Sequence, residues 1–159
     1  MASTPGSRQV ALTRLERRGF EQLQVGEVFE LPGRTMTTEH FDAFQALTGD
    51  DHPMHYDVDE CLRRGHQDLL AHGLAITALG AAGAGTFPYV VEDVMLGFLE
   101  QSSRFLAPVL RGDSLRAQLT IVELVRQTTT GVVVLRLEIK NQRDQLVLDG
   151  EHRYLLRLS

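Results

Sequence analysis

The sequence predicts an α+β fold in which an antiparallel β-sheet wraps around one long central helix. Two patterns carry this prediction. The segment from Ala71 to Gly85 is almost wholly apolar and rich in alanine and glycine, which is typical of a helix buried all round with other backbone packed tightly against it. The chain from Val94 to Leu158 alternates polar and apolar residues over short intervals, which predicts strands that leave one face of a sheet in water. A helix buried on all sides needs a sheet around it, and these strands can form that sheet.

With 159 residues, of which 43% are hydrophobic and 23% charged, the chain has the length and composition of one ordinary domain. No charge-free apolar run reaches the roughly 20 residues of a membrane helix, and a formal net charge of -5 gives no overall attraction for nucleic acid. We therefore expect neither a membrane nor a nucleic-acid partner. The single cysteine, Cys61, excludes an intrachain disulfide, and together with the lack of a secretory signal it predicts a cytoplasmic protein.

Residues 1–19 form a predicted N-terminal extension, and residues 20–159 form the predicted single domain. The first seven residues are rich in small polar residues, proline and glycine, so this part is expected to be disordered. The segment from Gln9 to Arg18 is weakly amphipathic and is expected to dock on the domain. A nucleic-acid-binding arm is the less favoured alternative.

One strand and two short helices are predicted upstream of the long helix. The strand lies within residues 20–36 and is interrupted by Pro32-Gly33. Apolar residues at helical spacing predict a helix from Thr38 to Thr48, which Gly49 ends. The second helix begins at Asp57 or Asp59, either of which can cap it, and ends at Arg64.

Four strands are predicted after the long helix. Polar and apolar residues alternate in each of them, and glycine or proline turns separate them. The predicted ranges are 94–106, 115–125, 132–139 and 146–158, with a tight turn at 108–113 and a hairpin loop at 141–145.

The turn between the two short helices reads Gly49-Asp50-Asp51-His52-Pro53-Met54-His55, so that two carboxylates and two imidazoles lie within seven residues. Pro53 restricts its own backbone and that of its predecessor, which keeps the turn out of regular structure. Asp50 and His55 could converge on one water molecule, as proton transfer requires. The structural alternatives are that Asp50 only caps the turn, that His55 only binds backbone, and that Asp51 is a solvated neighbour.

The predicted long helix opens with His72-Gly73. The first N–H groups of a helix have no partner inside it and carry the positive end of its dipole. The Gly73 amide could therefore stabilise a carbonyl oxygen that gains negative charge, and the missing Cβ would let a thioester approach closely. The alternative is that Gly73 only permits close packing. A proton-handling pair and an oxyanion donor are together the parts needed for chemistry beside a carbonyl.

These features resemble the MaoC-like dehydratase family, whose best-known members are (R)-specific enoyl-CoA hydratases. The resemblance spans about residues 20–158 and rests on Gly49-Asp50-x-x-Pro53-x-His55, on Ala71-His72-Gly73 and on the run from Arg104 to Asp113. It implies a hot-dog fold and a homodimer, or a dimer of dimers, with sheets joined edge to edge. It also implies an acyl-CoA thioester substrate that enters a tunnel near the dimer interface. No cofactor is expected.

The resemblance also assigns roles to three residues. Asp50 and His55 would hold and activate the water that adds to the double bond of a 2-enoyl thioester, and the reverse reaction would dehydrate a 3-hydroxyacyl thioester. The Gly73 amide would receive the thioester oxygen as the enolate forms.

One position of the motif departs from the family, which usually has asparagine two residues after the aspartate. His52 stands there, and an imidazole is bulkier than an amide and can carry charge. A different substrate, reduced activity or a descendant that only binds its ligand would each fit this change. His52 and His72 are predicted to be neighbours of the active site.

The phosphates of CoA need cationic contacts, and four arginines are candidates for them. Each is equally well explained as a partner in a surface ion pair. The four are Arg63, Arg64, Arg104 and Arg111. The stretch from Phe87 to Asp93 is predicted to shape the acyl end of the pocket, although core packing explains Phe87 and Tyr89 as well.

Three competing interpretations remain at this point. The same fold and helix-terminal amide serve acyl-CoA thioesterases, and a non-catalytic acyl-CoA or acyl-carrier-protein binding module would share the same groove. A zinc site is disfavoured because the spacing of the available histidines matches no common metal-binding pattern. Those histidines are His52, His55, His66 and His72.

Overall fold

The computed structural model describes residues 15–159. Most of the predicted N-terminal extension, including the part expected to be disordered, lies outside these residues. Among the helices of residues 15–159, none has the length and apolar character needed to cross a membrane.

Six strands form an antiparallel sheet. Their order is β1-β4-β5-β6-β3, and β2 pairs with the beginning of β4. The alternation of polar and apolar residues predicted all four long strands to within two residues at each end. The strands are β1 (Val28–Glu30), β2 (Arg34–Thr35), β3 (Met95–Phe105), β4 (Ser114–Arg126), β5 (Thr130–Lys140) and β6 (Leu146–Arg157).

Four α-helices connect the first strands with the last. They are α1 (Thr38–Thr48), α2 (Val58–Arg63), α3 (Gly73–Ala78) and α4 (Phe87–Val90), and short 3-10 turns lie at Phe20–Gln22, Pro53–His55 and Ala82–Ala84. The prediction of α1 is confirmed, and Gly49 ends it in the left-handed conformation, with φ of 75°. The prediction of α2 is also confirmed, because the Asp57 carboxylate caps it by accepting the Glu60 N–H at 3.1 Å.

The prediction of one continuous helix from Ala71 to Gly85, buried on all sides, is wrong. Helix α3 ends at Ala78, and the 3-10 turn and α4 follow as separate pieces. The repeated glycines favour such a break because each costs about 1 kcal/mol relative to alanine inside a helix. Gly80 also lies directly on the sheet, where a Cβ would overlap the Leu137 side chain. One side of α3 is open, since Leu74 is 69% exposed.

The predicted architecture, a sheet wrapped around a helical segment, is nevertheless confirmed. Gly73 lies against the Phe105 ring, and the Thr77 hydroxyl donates to Ser103 Oγ at 3.3 Å, so α3 crosses the inner face of the sheet beside β3. The core lies between this inner face and the helices. At its centre the fully buried Phe87 meets Phe29 and Tyr154 edge to face, with 5.3 and 5.2 Å between ring centroids. Phe87 therefore belongs to the core.

Candidate active site

The motif turn between α1 and α2 is shaped by its own side chains. The Asp50 N–H donates to Thr48 Oγ1 at 3.2 Å, and the Asp50 carboxylate accepts the His52 N–H at 3.2 Å. His52 Nδ1 in turn accepts the Met54 N–H at 3.3 Å and caps the 3-10 turn that ends at His55. An asparagine side chain could accept the same bond through its amide oxygen, so the histidine at this position keeps the geometry of the turn.

The structure brings Asp50 and His55 together. Asp50 Oδ2 lies 4.0 Å from His55 Nε2, with the His55 side chain 12% exposed and that of Asp50 43% exposed. The other ring nitrogen, His55 Nδ1, lies 2.6 Å from the carbonyl oxygen of Leu70. Because a carbonyl only accepts, Nδ1 carries the proton and the lone pair of Nε2 is free on the Asp50 side in the neutral ring.

His72 lies directly against His55. Its ring stacks on the His55 ring with 3.8 Å between centroids, and its Nε2 lies 3.0 Å from the Tyr56 hydroxyl. Burial lowers the pKa of His72, and the neighbouring His55 lowers it further, against a smaller raising effect from Asp50.

Sequence analysis missed Tyr56, and only its position next to His55 could have indicated it. Burial, followed by nearby carboxylates, raises the pKa of Tyr56.

A cleft of about 450 Å³ joins His55 to Gly73. The start of α3 forms one wall, and its first bonded amide is that of Ile76, which donates to the His72 carbonyl at 3.1 Å. Within the described residues, no protein acceptor pairs with the Gly73 N–H. A Cβ at Gly73 would lie 3.1 Å from Phe105 Cζ, so glycine keeps this end of the cleft open. The remaining walls are apolar and include Ile76, Phe105, Leu106 and Val109.

The arrangement of the histidines does not favour a metal. Donor atoms of Asp50, His55 and His72 all lie within 4.8 Å of one another, a set different from the four histidines weighed above. However, an imidazole lone pair lies in the plane of its ring, and the stacked rings of His55 and His72 are only 26° from parallel. Their lone pairs therefore cannot meet at one ion, as a tetrahedral or octahedral centre would require.

The four candidate CoA-binding arginines lie in three different places. Arg63 and Arg64 both pair with Glu60 at the end of α2, at 2.5 and 2.6 Å. Arg104 pairs with Asp149. It lies on the outer face of the sheet, because side chains alternate along β3 and that of Phe105 faces α3.

Arg111 lines a polar cavity of about 440 Å³ that shares Pro108 with the cleft, and it pairs with Asp68 at 2.7 Å. Arg143 lines the same cavity, and sequence analysis had not named it. Its place in the hairpin loop between β5 and β6 gave no local signal.

The comparisons with known sequences agree with the resemblance drawn from the motif. The family model described as MaoC like domain matches residues 21–142. The chain is 25% identical over 137 residues to a mitochondrial 3-hydroxyacyl-(acyl-carrier-protein) dehydratase from Arabidopsis thaliana, covering 84% of this chain and 78% of that protein. It is 28% identical over 135 residues to a 3-hydroxybutyryl-CoA dehydratase from Methylorubrum extorquens, covering 83% and 80%.

Solved structures agree on the fold. A monoamine oxidase regulatory protein from Archaeoglobus fulgius is 30% identical with a TM-score of 0.82, covering 91% of this chain and 97% of that one. The R-hydratase PhaJ1 from Pseudomonas aeruginosa is 25% identical with a TM-score of 0.73, covering 91% and 89%. A Mycobacterium tuberculosis protein with a double hot-dog fold is 25% identical with a TM-score of 0.77, covering 90% and 45%. The predicted hot-dog fold is thus confirmed.

Proposed function

Because the chain belongs to the MaoC-like domain family, we propose that it is a hydro-lyase that adds water to a 2-enoyl-CoA thioester or dehydrates the corresponding 3-hydroxyacyl-CoA. The observation that carries this proposal is that His55, paired with Asp50, and Gly73 line one cleft. The names of the relatives support it, because they include a dehydratase of an acyl-CoA, a dehydratase of an acyl-carrier-protein thioester and an R-hydratase.

The proposed water lies between Asp50 and His55. Their facing atoms are 4.0 Å apart, too far for a direct hydrogen bond but suited to one water oxygen at about 2.8 Å from each. The pair takes a proton from this water as its oxygen bonds to the β-carbon, and it delivers a proton to the α-carbon when the enolate collapses. Both transfers are assigned to the pair, because both groups face the same proposed water.

The Gly73 amide is proposed to hold the thioester oxygen. When water adds to the β-carbon, the electrons of the double bond move into the thioester and place negative charge on that oxygen. An N–H group at the start of a helix, in a cleft with apolar walls, stabilises this charge more than the neutral carbonyl, which is the condition for lowering the barrier.

The CoA phosphates are proposed to bind near Arg111. Its polar cavity shares Pro108 with the apolar cleft, and Arg143 adds a second cation to the same cavity. For Arg63, Arg64 and Arg104 the assignment stays a prediction. Because the relatives include both CoA and acyl-carrier-protein dehydratases, the acyl-carrier-protein thioester is the alternative substrate.

The proposed assembly is a homodimer, or a dimer of dimers, formed through β3. This strand is at the edge of the sheet, and large apolar residues on it and directly after it are exposed, which is unfavourable unless another surface covers them. These residues are Leu96, Phe98, Leu99, Phe105 and Leu106. The proposed compartment is the cytoplasm, which the single cysteine favours.

The first prediction is that Asp50→Asn abolishes turnover and leaves ligand binding intact. The amide keeps the size of the side chain and can still accept the His52 N–H, but it cannot take a proton. We expect the rate of hydration of crotonyl-CoA or longer enoyl-CoA substrates, followed by loss of the absorbance of the conjugated thioester, to fall roughly a thousandfold.

Each competing function has its own outcome in this assay. Release of free thiol without hydration would identify a thioesterase instead. Binding of enoyl-CoA by the folded wild-type protein without any turnover would identify a binding module. Turnover of only acyl-carrier-protein thioesters would correct the substrate class.

A further inference from the structure

The buried ring of His72 packs against one face of the His55 ring. It is 2% exposed, and the ring of Phe44 lies 4.6 Å from its own ring, measured between centroids. His55 lines the cleft and His72 does not, so the stacked ring covers a side of His55 away from the cleft.

Helix capping does not account for a histidine at this position. His72 is the residue before α3, where serine, threonine, aspartate or asparagine normally accepts a backbone N–H. The His72 side chain makes no such bond. It turns instead toward Tyr56, whose hydroxyl lies 3.0 Å from its Nε2.

Hydrogen bonds fix the position of the proton on both rings. The Tyr56 hydroxyl donates its single proton to the Phe41 carbonyl at 3.0 Å, so its oxygen accepts the Nε2–H of His72. In the same way, His55 Nδ1–H donates to the Leu70 carbonyl at 2.6 Å. Burial lowers the pKa of His72 first and the charge of His55 lowers it further, so both surroundings favour the neutral form of the His72 ring.

We infer that His72 is a positioning residue whose neutral ring holds the plane of His55, so that His55 Nε2 remains aimed at Asp50 and the cleft. The hydrogen bond to Leu70 holds one atom of the His55 ring but allows the ring to rock about that contact, and the stacked ring removes this freedom. A neutral ring also suits a histidine that becomes cationic, because a second cation at 3.8 Å would repel it. The inference rests on the proposed function, in which the aim of Nε2 decides the rate.

Substitution of His72 by a residue that does not titrate removes one ionisable ring and leaves the other titratable groups of the site in place. A change in the pH profile of kcat can therefore be assigned to the loss of His72. Asp50 lies 4.0 Å from His55, and the ring of His52 lies 6.3 Å from that of His55. The charged and titratable groups that face the pair or act on Tyr56 are Asp42, Asp50, Asp51, His52 and Tyr56.

Two substitutions separate the ring from its hydrogen bond. H72F keeps a flat ring against His55 and loses the bond to Tyr56, whereas H72Q can keep the bond and loses the ring. We expect kcat to fall by less than about tenfold in H72F and by roughly tenfold to a hundredfold in H72Q, with KM changed little, since small misplacements of a reacting group are this costly. We also expect the pH profile of kcat to keep its shape in H72F.

The opposite order, with H72Q the more active variant, would overturn the inference and assign the effect to the hydrogen bond. Equal losses that follow the loss of melting temperature in both variants would also overturn it, because they would indicate a purely structural role.

Nitrogen NMR of the histidine rings tests the same inference without substrate, and it applies even where a variant does not fold. In the wild-type protein we expect His72 to be mainly in the neutral Nε2–H form at pH 6.5, where an ordinary histidine is about half protonated. A His72 ring that is half protonated or more at this pH would overturn the inference. If the wild-type protein shows no turnover although His72 is neutral, the proposed function is wrong, whereas the stacking of His72 on His55 is unaffected.

Discussion

At the residue scale, the site combines side chains that the motif indicates with backbone groups that it does not. The aspartate and histidine of the turn could be recognised from their spacing, because a proline-stiffened loop leaves few ways to arrange them. The Leu70 carbonyl that fixes the His55 tautomer lies 15 residues away in sequence, and an apolar residue carries no sign of such a role. The site could therefore be predicted only as far as its ionisable side chains.

Gly73 provides a test at this scale, because one methyl group there would narrow the cleft. In Gly73→Ala the new Cβ would lie 3.1 Å from Phe105 Cζ. We expect kcat/KM for enoyl-CoA hydration to fall by roughly tenfold to a hundredfold, because the thioester oxygen could no longer approach the amide closely. The melting temperature should change little, because the half-exposed Phe105 ring can move away from the new Cβ and alanine favours a helix more than glycine does.

A matched glycine and a double substitution control this experiment. In Gly83→Ala the new Cβ would lie more than 4 Å from every atom of residues 15–159 outside its own helical turn, and Gly83 does not line the cleft, so its activity should equal that of the wild-type protein. Gly73→Ala combined with Phe105→Leu relieves the contact with the ring. Recovery of full activity in the double variant would contradict the oxyanion role, because it would show that only the position of Phe105 had mattered.

At the element scale, the strands and the first two helices could be predicted because local signals define them. Alternation marks the strands, and a capping aspartate and a terminal glycine mark the helices. The central helix was mispredicted because a run of alanine and glycine has the same composition whether it is one long helix or short turns pressed against a sheet. The contact between Gly80 and Leu137 decides between these possibilities. These two residues are 57 positions apart in the sequence, so no local pattern indicates the contact.

The edge strand β3 is the element that tests the proposed assembly. Leu99 on β3 is 54% exposed, and Val28 on β1, at the opposite edge of the sheet, is 50% exposed. If two copies join through β3, Leu99→Lys places two ammonium groups in the interface and should dissociate the dimer. Val28→Lys should not, because its edge is free of the contact.

Light scattering over a range of concentrations measures this difference as mass. The wild-type protein and Val28→Lys should have about twice the 17.7 kDa of one chain, or about four times this mass if two dimers associate, and Leu99→Lys should have a lower mass than both. A wild-type protein that stays monomeric at every concentration would contradict the dimer. If Val28→Lys dissociates and Leu99→Lys does not, the interface is formed by β1 and not by β3.

At the scale of the whole molecule, stability depends on keeping two buried histidines uncharged. His152 on β6 is 3% exposed, and within the described residues neither of its ring nitrogens has a hydrogen-bond partner. Burial lowers the pKa of His152, as it does that of His72. An unfolded histidine binds a proton near its ordinary pKa of about 6.5, so below this pH the unfolded chain holds more protons than the folded one, and the free energy of unfolding falls.

We therefore predict that the protein loses stability as the pH falls through about 6.5 toward the lower pKa of the folded histidines, by up to about 1.4 kcal/mol per pH unit for each of them. His152→Leu should remove one such contribution, because leucine fills the space between Phe98 and Tyr154 without a proton to bind. Urea unfolding at pH 7.5 and pH 5.5 measures the slope. The slope should be smaller in His152→Leu than in the wild-type protein. An equal slope in the two proteins would contradict this prediction, because it would mean that His152 binds protons as readily in the folded state as in the unfolded state.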